Sequence, residues 1–288
     1  MKMWVSVLWR VAAYSALACA AFSFALFYLY SNPGRYVSGF TPGAFGLAFE
    51  PVRLITADGV ELSGWHIPRK GAKRAVIACH GYPMDKGNIL GMISFLSRDF
   101  ELLLFDFRAM GESGGFFSSG GVKESADLDA AAAFMKSRGF DKVGVFGFSM
   151  GASAALMSEN PAIAARVADS PFSDLGRTLE HAFSGLGFLK VPMIRMMKVW
   201  SRLILGADMD RVSPLRRITA LKAPTLIIHG DADTQVPVAS ALELKAACPE
   251  AELWIIKGAD HGGSSGFAGR TYEKRITDFF NAHIPVRP

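Results

Sequence analysis

A serine between two glycines is the residue of this chain best suited to act as a nucleophile. The pentapeptide at residues 147–151, G-F-S-M-G, follows an apolar run at residues 142–146 that predicts a buried strand, and it precedes residues 152–158, which predict a helix. Such a sharp turn strains its central residue, and only small neighbours tolerate it. Ser149 is therefore predicted to expose its hydroxyl above the sheet, with the amide of Met150 pointing toward any oxyanion that forms. The alternative is a Gly/Ser-rich turn that only connects two elements.

A histidine and several aspartates lie in loops after later predicted strands. Residues 224–229 predict a strand that leads into a loop with Asp231 and Asp233, and His261 follows the predicted strand at residues 253–256. The ends of parallel strands converge at one edge of a sheet, so residues distant in sequence can meet there. A histidine can remove a serine proton near neutral pH, and a carboxylate can hold the ring in the required tautomer.

Short β-prone runs alternate with helical patterns along most of the chain. Residues 52–56 and 60–67 flank the turn signal Ala57-Asp58-Gly59 and predict an antiparallel hairpin. The pattern beyond them predicts the α/β class, with a mostly parallel twisted sheet and helices on both faces. The remaining predicted strands lie at residues 75–79, 102–105 and 166–169, and the predicted helices lie near residues 86–98 and at residues 126–136.

The amino-terminal segment contains a long uncharged run. Residues 11–30 carry no charge, and as a helix they are long enough to cross about 30 Å of hydrocarbon. Residues 1–33 are therefore predicted to be a single-pass membrane anchor. The alternative is a signal peptide cleaved near Ala18-Cys19-Ala20, which would leave residues 21–30 apolar and exposed.

Charges around the anchor predict its orientation. Lys2 and Arg10 precede the uncharged run and Arg35 follows it, so the positive-inside rule places the amino terminus in the cytoplasm and the catalytic domain on the non-cytoplasmic side. Residues 34–51 are rich in glycine and proline and are predicted to be a linker. Residues 52–288 form the predicted main domain.

Residues 172–217 interrupt the alternation of strands and helices, and we interpret them as a helical cap inserted over the catalytic face. Within them, residues 189–205 predict a helix in which Arg195, Lys198 and Arg202 share one face. One interpretation is a solvated basic rim around a pocket. The other is that this face rests on anionic lipid and draws acyl substrates from the bilayer.

The loop after the strand at residues 102–105 carries a further motif. Residues 106–113 read D-F-R-A-M-G-E-S and resemble the pattern D-x-R-G-x-G-x-S, with Ala109 in place of the first glycine. With the G-F-S-M-G turn, this motif makes the chain similar to α/β hydrolases of the serine-hydrolase kind from about residue 52 onward. The chain looks like the membrane-anchored, single-span members related to prolyl oligopeptidases, thioesterases and dienelactone hydrolases. The resemblance implies the α/β-hydrolase fold.

The resemblance also implies catalytic roles. Residues 230–237 read G-D-A-D-T-Q-V-P and resemble the family loop G-x-x-D-x-x-V-P, which makes Asp233 the acid. Ser149 is then the nucleophile and His261 the base, in the family order of serine, acid and histidine. Asp169 is the rival acid, because some hydrolases carry it after the strand that ends there.

The second oxyanion amide is expected in the loop after the third strand, in His80-Gly81-Tyr82. The family layout implies that the amide of Tyr82 acts beside that of Met150. His80 could be read as a base, but we expect its ring to form a local hydrogen bond that shapes the loop.

Other charged residues near the motifs are interpreted as structural. Asp231 and Asp260 are expected to form turns, since aspartate favours loops. Asp106 and Arg108 are expected to brace their loop as a pair.

The predicted function is hydrolysis of a carboxylic ester, thioester or amide through an acyl-enzyme, on lipophilic acyl substrates. The alternatives are a peptidase that trims amino-terminal residues and a membrane-tethered binding protein with an idle pocket. No nucleotide loop, metal-ligand spacing or nucleic-acid motif is present in the sequence, so neither a cofactor, a metal nor a nucleic-acid partner is expected. The three cysteines, Cys19, Cys79 and Cys248, lie too far apart in sequence to indicate a disulfide framework.

Overall fold

The computed structural model describes residues 2–287, which contain one eight-stranded sheet. In chain order its strands are β1 (Glu50–Ile55), β2 (Glu61–Ile67), β3 (Ala75–Cys79), β4 (Glu101–Phe105), β5 (Val143–Phe148), β6 (Ile163–Asp169), β7 (Thr225–Gly230) and β8 (Glu252–Ile256). They lie in the order β1-β2-β4-β3-β5-β6-β7-β8, and only the two pairs that involve β2 are antiparallel within these described residues. This arrangement confirms the predicted hairpin and the predicted α/β-hydrolase fold.

Helices connect and cover the strands. They are α1 (Lys2–Ser31), α2 (Leu90–Ile93), α3 (Val122–Ser137), α4 (Met150–Met157), α5 (Leu175–Ala182), α6 (Lys190–Trp200), α7 (Pro214–Arg217), α8 (Ala239–Ala247), α9 (Ser264–Ala268) and α10 (Arg270–His283). The prediction of a helix near residues 86–98 is wrong for its first turn, because α2 begins only at Leu90, and a 3₁₀-helix at Ser94–Arg98 follows α2. The side chains of Asp85 and Asn88 each accept the other's backbone amide at 3.0 Å, and such bonds compete with helix formation.

The central parallel strands are buried on both faces, as their continuous apolar sequences predict. All residues of β3 and of β5 are buried. Residues of α2 and α10 pack in the cluster on one face, and residues of α3 pack in the cluster on the other. Coverage on both sides fixes the strands in position, so the loops at their carboxyl ends are held together at one rigid edge.

The helix α1 is long and apolar enough to cross a membrane, and it is the one helix of residues 2–287 with that combination of length and composition. At about 1.5 Å per residue it extends about 45 Å. Three of its residues, Ser23, Phe27 and Ser31, are buried against other parts of the protein.

The segment from residue 34 to residue 51 lies along the main domain. The guanidinium of Arg35 donates to the carbonyl oxygens of Ser113 and Gly115. The amide of Ser38 donates to Oδ2 of Asp85 at 2.9 Å. These bonds fix the path of the chain between α1 and the sheet.

The insertion between β6 and β7 contains α5, α6 and α7. The helix predicted for residues 189–205 is present as α6, followed by a π-helical turn at Ser201–Leu205. The elements of the insertion lie above the carboxyl edge of the sheet, where their side chains line the same cavity as Ser149.

Two of the three basic residues predicted to share a face of this helix are paired within the insertion. Lys198 Nζ lies 2.6 Å from Oδ1 of Asp210, and Arg202 Nη2 lies 2.9 Å from Oδ1 of Asp208. Because these charges are already compensated, the interpretation that this face binds anionic lipid through its basic residues is weakened.

Candidate active site

Ser149 occupies the turn between β5 and α4 with a strained backbone. Its φ is 52° and its ψ is −117°, a conformation that side chains other than glycine rarely adopt. A Cβ atom on Gly147 would lie 2.5 Å from the carbonyl oxygen of Gly151, and one on Gly151 would lie 2.4 Å from that of Cys79. Both glycines therefore permit a close approach of backbone segments that holds Ser149 in place.

Replacement of Gly151 by alanine is expected to destabilise the protein by about 1–3 kcal/mol, because the added methyl group would overlap backbone atoms that have no room to move. Gly91→Ala in α2 is the matched control. A Cβ atom at Gly91 meets nothing within 4 Å, and alanine is expected to stabilise the helix by up to about 1 kcal/mol. Thermal unfolding of both variants tests this difference, and equal midpoints would contradict it.

A continuous hydrogen-bond chain joins the three side chains predicted to act together. The Oγ atom of Ser149 lies 2.9 Å from Nε2 of His261, and Nδ1 of His261 lies 2.7 Å from Oδ2 of Asp233. The ring of Phe148 packs beside that of His261, with 5.0 Å between their centroids. With its proton on Nδ1, the imidazole can donate to the carboxylate and accept the serine proton.

The carboxylate of Asp233 is buried and fully engaged. Its Oδ1 accepts the amides of Gln235 and Val236 at 3.0 and 2.8 Å. Burial alone would raise the pKa of Asp233, but hydrogen bonds from His229, His261 and Val236 hold that pKa well below its usual range. The group is therefore ionised at neutral pH and can stabilise a positive charge on His261.

The rival acid, Asp169, binds different partners. Its Oδ2 accepts the hydroxyl of Tyr272 at 2.7 Å, and its Oδ1 accepts those of Ser264 and Ser170. Complete burial raises the pKa of Asp169 above its usual value. The structure thus brings Asp233 to His261 and leaves Asp169 in a separate buried network.

Two further aspartates brace the loops that carry Asp233 and His261. Oδ1 of Asp231 accepts the amide of Gly258 at 2.6 Å. Oδ1 of Asp260 accepts the amides of Thr234 and His261 at 3.0 and 2.8 Å. Because each aspartate bonds from one loop to the other, several independent bonds fix the distance between Asp233 and His261.

The two amides predicted to form the oxyanion hole belong to residues beside Ser149. Tyr82 and Met150 line the same cavity as Ser149. Met150 is the first residue of α4, where a backbone amide has no carbonyl partner within its own helix.

His80 shapes the loop that precedes Tyr82. Its Nδ1 donates to the carbonyl oxygen of Gly81 at 2.7 Å, and its Nε2 accepts the amide of Phe107 at 3.0 Å. Burial lowers the pKa of His80, which favours the neutral ring that both bonds require. The expected local hydrogen bond is present.

The predicted pairing of Asp106 with Arg108 is wrong. Asp106 accepts Nζ of the buried Lys86 at 2.7 Å. Arg108 instead donates to Asp127 and to Asp58, at 2.9 and 2.7 Å. The planar guanidinium can bond two carboxylates at once, while the charge of Asp106 is compensated by the ammonium of Lys86.

Ser149 opens into a cavity of about 510 Å³. Its walls come from the insertion, from loops of the main domain and from the end of α1. Most of the lining is apolar, and it includes Phe27, Phe172, Leu175, Leu179, Met197 and Leu205. Within the described residues, no aspartate, glutamate, lysine or arginine lines the cavity, which therefore suits an uncharged apolar group.

Two histidines for which the sequence predicts no catalytic role, His229 and His181, also lie near this site. His229, at the end of β7, donates from Nε2 to the carbonyl oxygen of Val236 at 2.8 Å, and the same atom is 3.4 Å from Oδ2 of Asp233. The spacing of four between His229 and Asp233 was the only signal in the sequence. Nε2 of His181 in α5 lies 3.0 Å from the carbonyl oxygen of Thr234. This contact joins the insertion to the loop that carries Asp233.

Comparison with known proteins gives similarity over most of the chain. The sequence profile described as the prolyl oligopeptidase family matches residues 92–286. The protein YqkD of Bacillus subtilis is 29% identical over 236 residues, which cover 78% of this chain and 77% of YqkD. The membrane protein YNL320W of Saccharomyces cerevisiae is 24% identical over 269 residues, which cover 87% of this chain and 90% of that protein.

A solved structure is also similar to this protein over most of its length. The esterase Pf2001 of Pyrococcus furiosus superposes with a TM-score of 0.75 and 31% sequence identity. The superposition covers 88% of this chain and 98% of the esterase. The similarity thus extends over nearly the whole of both proteins.

Proposed function

Because the chain belongs to the prolyl oligopeptidase family of α/β hydrolases, we propose that it is a serine hydrolase that cleaves esters or thioesters of lipophilic acyl groups. The observation that carries this proposal is the hydrogen-bond chain from Ser149 through His261 to Asp233 at the wall of an apolar cavity. The esterase Pf2001, a similar solved structure, supports the choice of an ester over an amide.

The reaction proceeds through an acyl-enzyme. Oγ of Ser149 attacks the carbonyl carbon while its proton passes to Nε2 of His261, and Asp233 stabilises the imidazolium. The amides of Tyr82 and Met150 stabilise the negative oxygen of the tetrahedral intermediate. The imidazolium then protonates the leaving group as its bond to the acyl carbon breaks. His261 then removes a proton from a water molecule as that water attacks the acyl carbon, and it returns the proton to Oγ of Ser149 as the acid is released.

In this proposal the chain has three parts, which are an anchor, a linker and a catalytic domain. Residues 1–33 anchor the protein in a membrane, residues 34–51 link this anchor to the catalytic domain, and residues 52–288 carry the reaction. Residues 172–217 act as the cap that selects the substrate. Because basic residues are in excess before the apolar run, we propose that the amino terminus lies in the cytoplasm and the catalytic domain on the other side.

A peptidase that trims amino-terminal residues is the second candidate, because the matched family is named for oligopeptidases. Recognition of a free amino terminus requires a carboxylate partner for the ammonium group, whereas no carboxylate lines the cavity among the described residues. The cavity therefore favours the acyl ester.

Turnover of a panel of substrates by the full-length protein in detergent micelles tests this choice. We expect hydrolysis of p-nitrophenyl butyrate and octanoate to exceed that of alanyl and prolyl p-nitroanilides. Faster cleavage of the anilides would favour the peptidase. An inactive protein that also fails to react with a fluorophosphonate would favour a binding protein with an idle pocket.

A further inference from the structure

The last turns of the apolar helix α1 form part of the wall of the cavity that contains Ser149. Phe27, Tyr30 and Ser31 line that cavity together with Met197 of α6. Phe27 is only 2% exposed, although the helix around it is mostly exposed. A helix that served only as a tether would need no contact with the cavity.

The buried face of α1 is a regular stripe. Ser23, Phe27 and Ser31 recur at intervals of four and so share one face of the helix. The indole nitrogen of Trp200 donates to Oγ of Ser23 at 3.1 Å. Phe27 packs in an apolar cluster with residues of α5 and α6, among them Met197. The helix is therefore docked along the insertion.

The same end of α1 is bonded to the loop proposed to hold the oxyanion. The hydroxyl of Tyr82 donates to the carbonyl oxygen of Tyr30 at 2.9 Å. The amide of Ser118, another residue of the cavity lining, donates to the carbonyl oxygen of Ser31 at 2.7 Å. A change in the position of α1 would therefore move Tyr82 and Ser118, which line the cavity that contains Ser149.

The position of these residues along α1 sets their depth in a bilayer. The apolar run ends at Tyr30, so Phe27 lies within one turn of the end of the predicted span. The insertion also exposes large apolar side chains beside α6, with Phe188 89% exposed and Leu203 71% exposed. Such exposure is unfavourable in water and favourable in the outer part of a bilayer.

We propose that α1 is both the membrane anchor and a wall of the acyl-binding cavity, and that the substrate is an acyl chain of a membrane lipid that enters this cavity directly from the bilayer. This inference depends on the proposed hydrolase function. It assigns Phe27 and Ser31 as specificity-determining residues, because both line the cavity that would hold the acyl chain.

A change of side-chain size at Phe27 tests the inference in the full-length protein reconstituted into phosphatidylcholine vesicles. The measured quantity is the rate with p-nitrophenyl palmitate carried in the vesicles, divided by the rate with p-nitrophenyl butyrate in solution. Phe27→Trp is expected to lower this ratio by about tenfold, because the larger ring narrows the route of the long chain. Ser31→Phe, which fills the cavity at a neighbouring point, is expected to lower it as well.

Leu29→Trp is the matched control, because Leu29 lies on the same helix, is 64% exposed and does not line the cavity. It is expected to leave the ratio unchanged. A ratio that stays constant in Phe27→Trp and Ser31→Phe, with both substrates slowed equally or not at all, would overturn the inference and leave the hydrolase function intact. Wild-type protein that hydrolyses butyrate but not vesicle-borne palmitate would also overturn it. Failure of the proposed function itself would be recognised by the absence of butyrate hydrolysis.

Discussion

Replacement of Ser149 by alanine is expected to lower the rate of p-nitrophenyl ester hydrolysis by at least about 10⁴-fold. Loss of the hydroxyl removes the nucleophile, and the remaining amides and cavity can only stabilise slow attack by water. The side chain is small, and the strained backbone at this position is retained, so the variant is expected to fold. The rate at saturating substrate is the quantity to measure.

Ser137→Ala is the matched control for this substitution. Ser137 is an exposed serine at the end of α3, where its hydroxyl donates to the carbonyl oxygen of Phe134. It is expected to hydrolyse the ester at the wild-type rate. Turnover by Ser149→Ala at the same rate as the control would remove Ser149 from the reaction.

Replacement of Asp233 by asparagine is expected to lower kcat by about 10⁴-fold. Asparagine keeps the shape of the side chain, but an amide nitrogen in place of Oδ2 cannot accept a hydrogen bond from Nδ1 of His261. The neutral side chain also cannot stabilise the imidazolium. The altered group also favours the tautomer of His261 that lacks a free lone pair toward Ser149. The measurement is kcat for p-nitrophenyl butyrate near neutral pH.

Asp169→Asn distinguishes the two possible acids. Asp169 is held by Tyr272 and Ser264, and burial already disfavours its charged form, so the neutral isostere is expected to have a much smaller effect on kcat. If Asp169→Asn lost as much activity as Asp233→Asn, or more, the assignment of the acid would be wrong.

The sheet and the turn at Ser149 could be predicted because their signals are local. The apolar run before the turn, the two glycines and the helix after it are adjacent in sequence, and steric limits leave one arrangement for them. The convergence of His261 and Asp233 with Ser149 was predictable for a related reason. Each follows a strand of a parallel sheet, and the topology of that sheet brings the strand ends together.

Ion-pair partners could not be predicted in the same way. Asp106 and Arg108 are neighbours in sequence and oppositely charged, yet each binds a partner from another element, Lys86 in one case and Asp58 with Asp127 in the other. Which charges meet in a buried loop depends on side-chain reach and direction, and the sequence alone does not encode these locally.

The contribution of α1 to the cavity had no signal in the sequence. Phe27 lies among apolar residues that all suit a membrane span, and nothing in their order separates the residue that packs with Met197 from those that stay exposed. Only the packing of α1 against α6 makes the distinction. The contact of His181 with the loop of Asp233 had no signal in the sequence either, since it exists only because α5 is positioned above that loop.

The most direct measurement is the site of reaction of a fluorophosphonate with the full-length protein, located by mass spectrometry of the digested product. The hydrogen-bond chain predicts a single adduct on the peptide that contains Ser149, absent from Ser149→Ala and strongly slowed in His261→Ala. An unmodified Ser149 in folded protein, or an adduct on a different residue at the same rate, would contradict the proposal that Ser149, His261 and Asp233 form a working nucleophilic site.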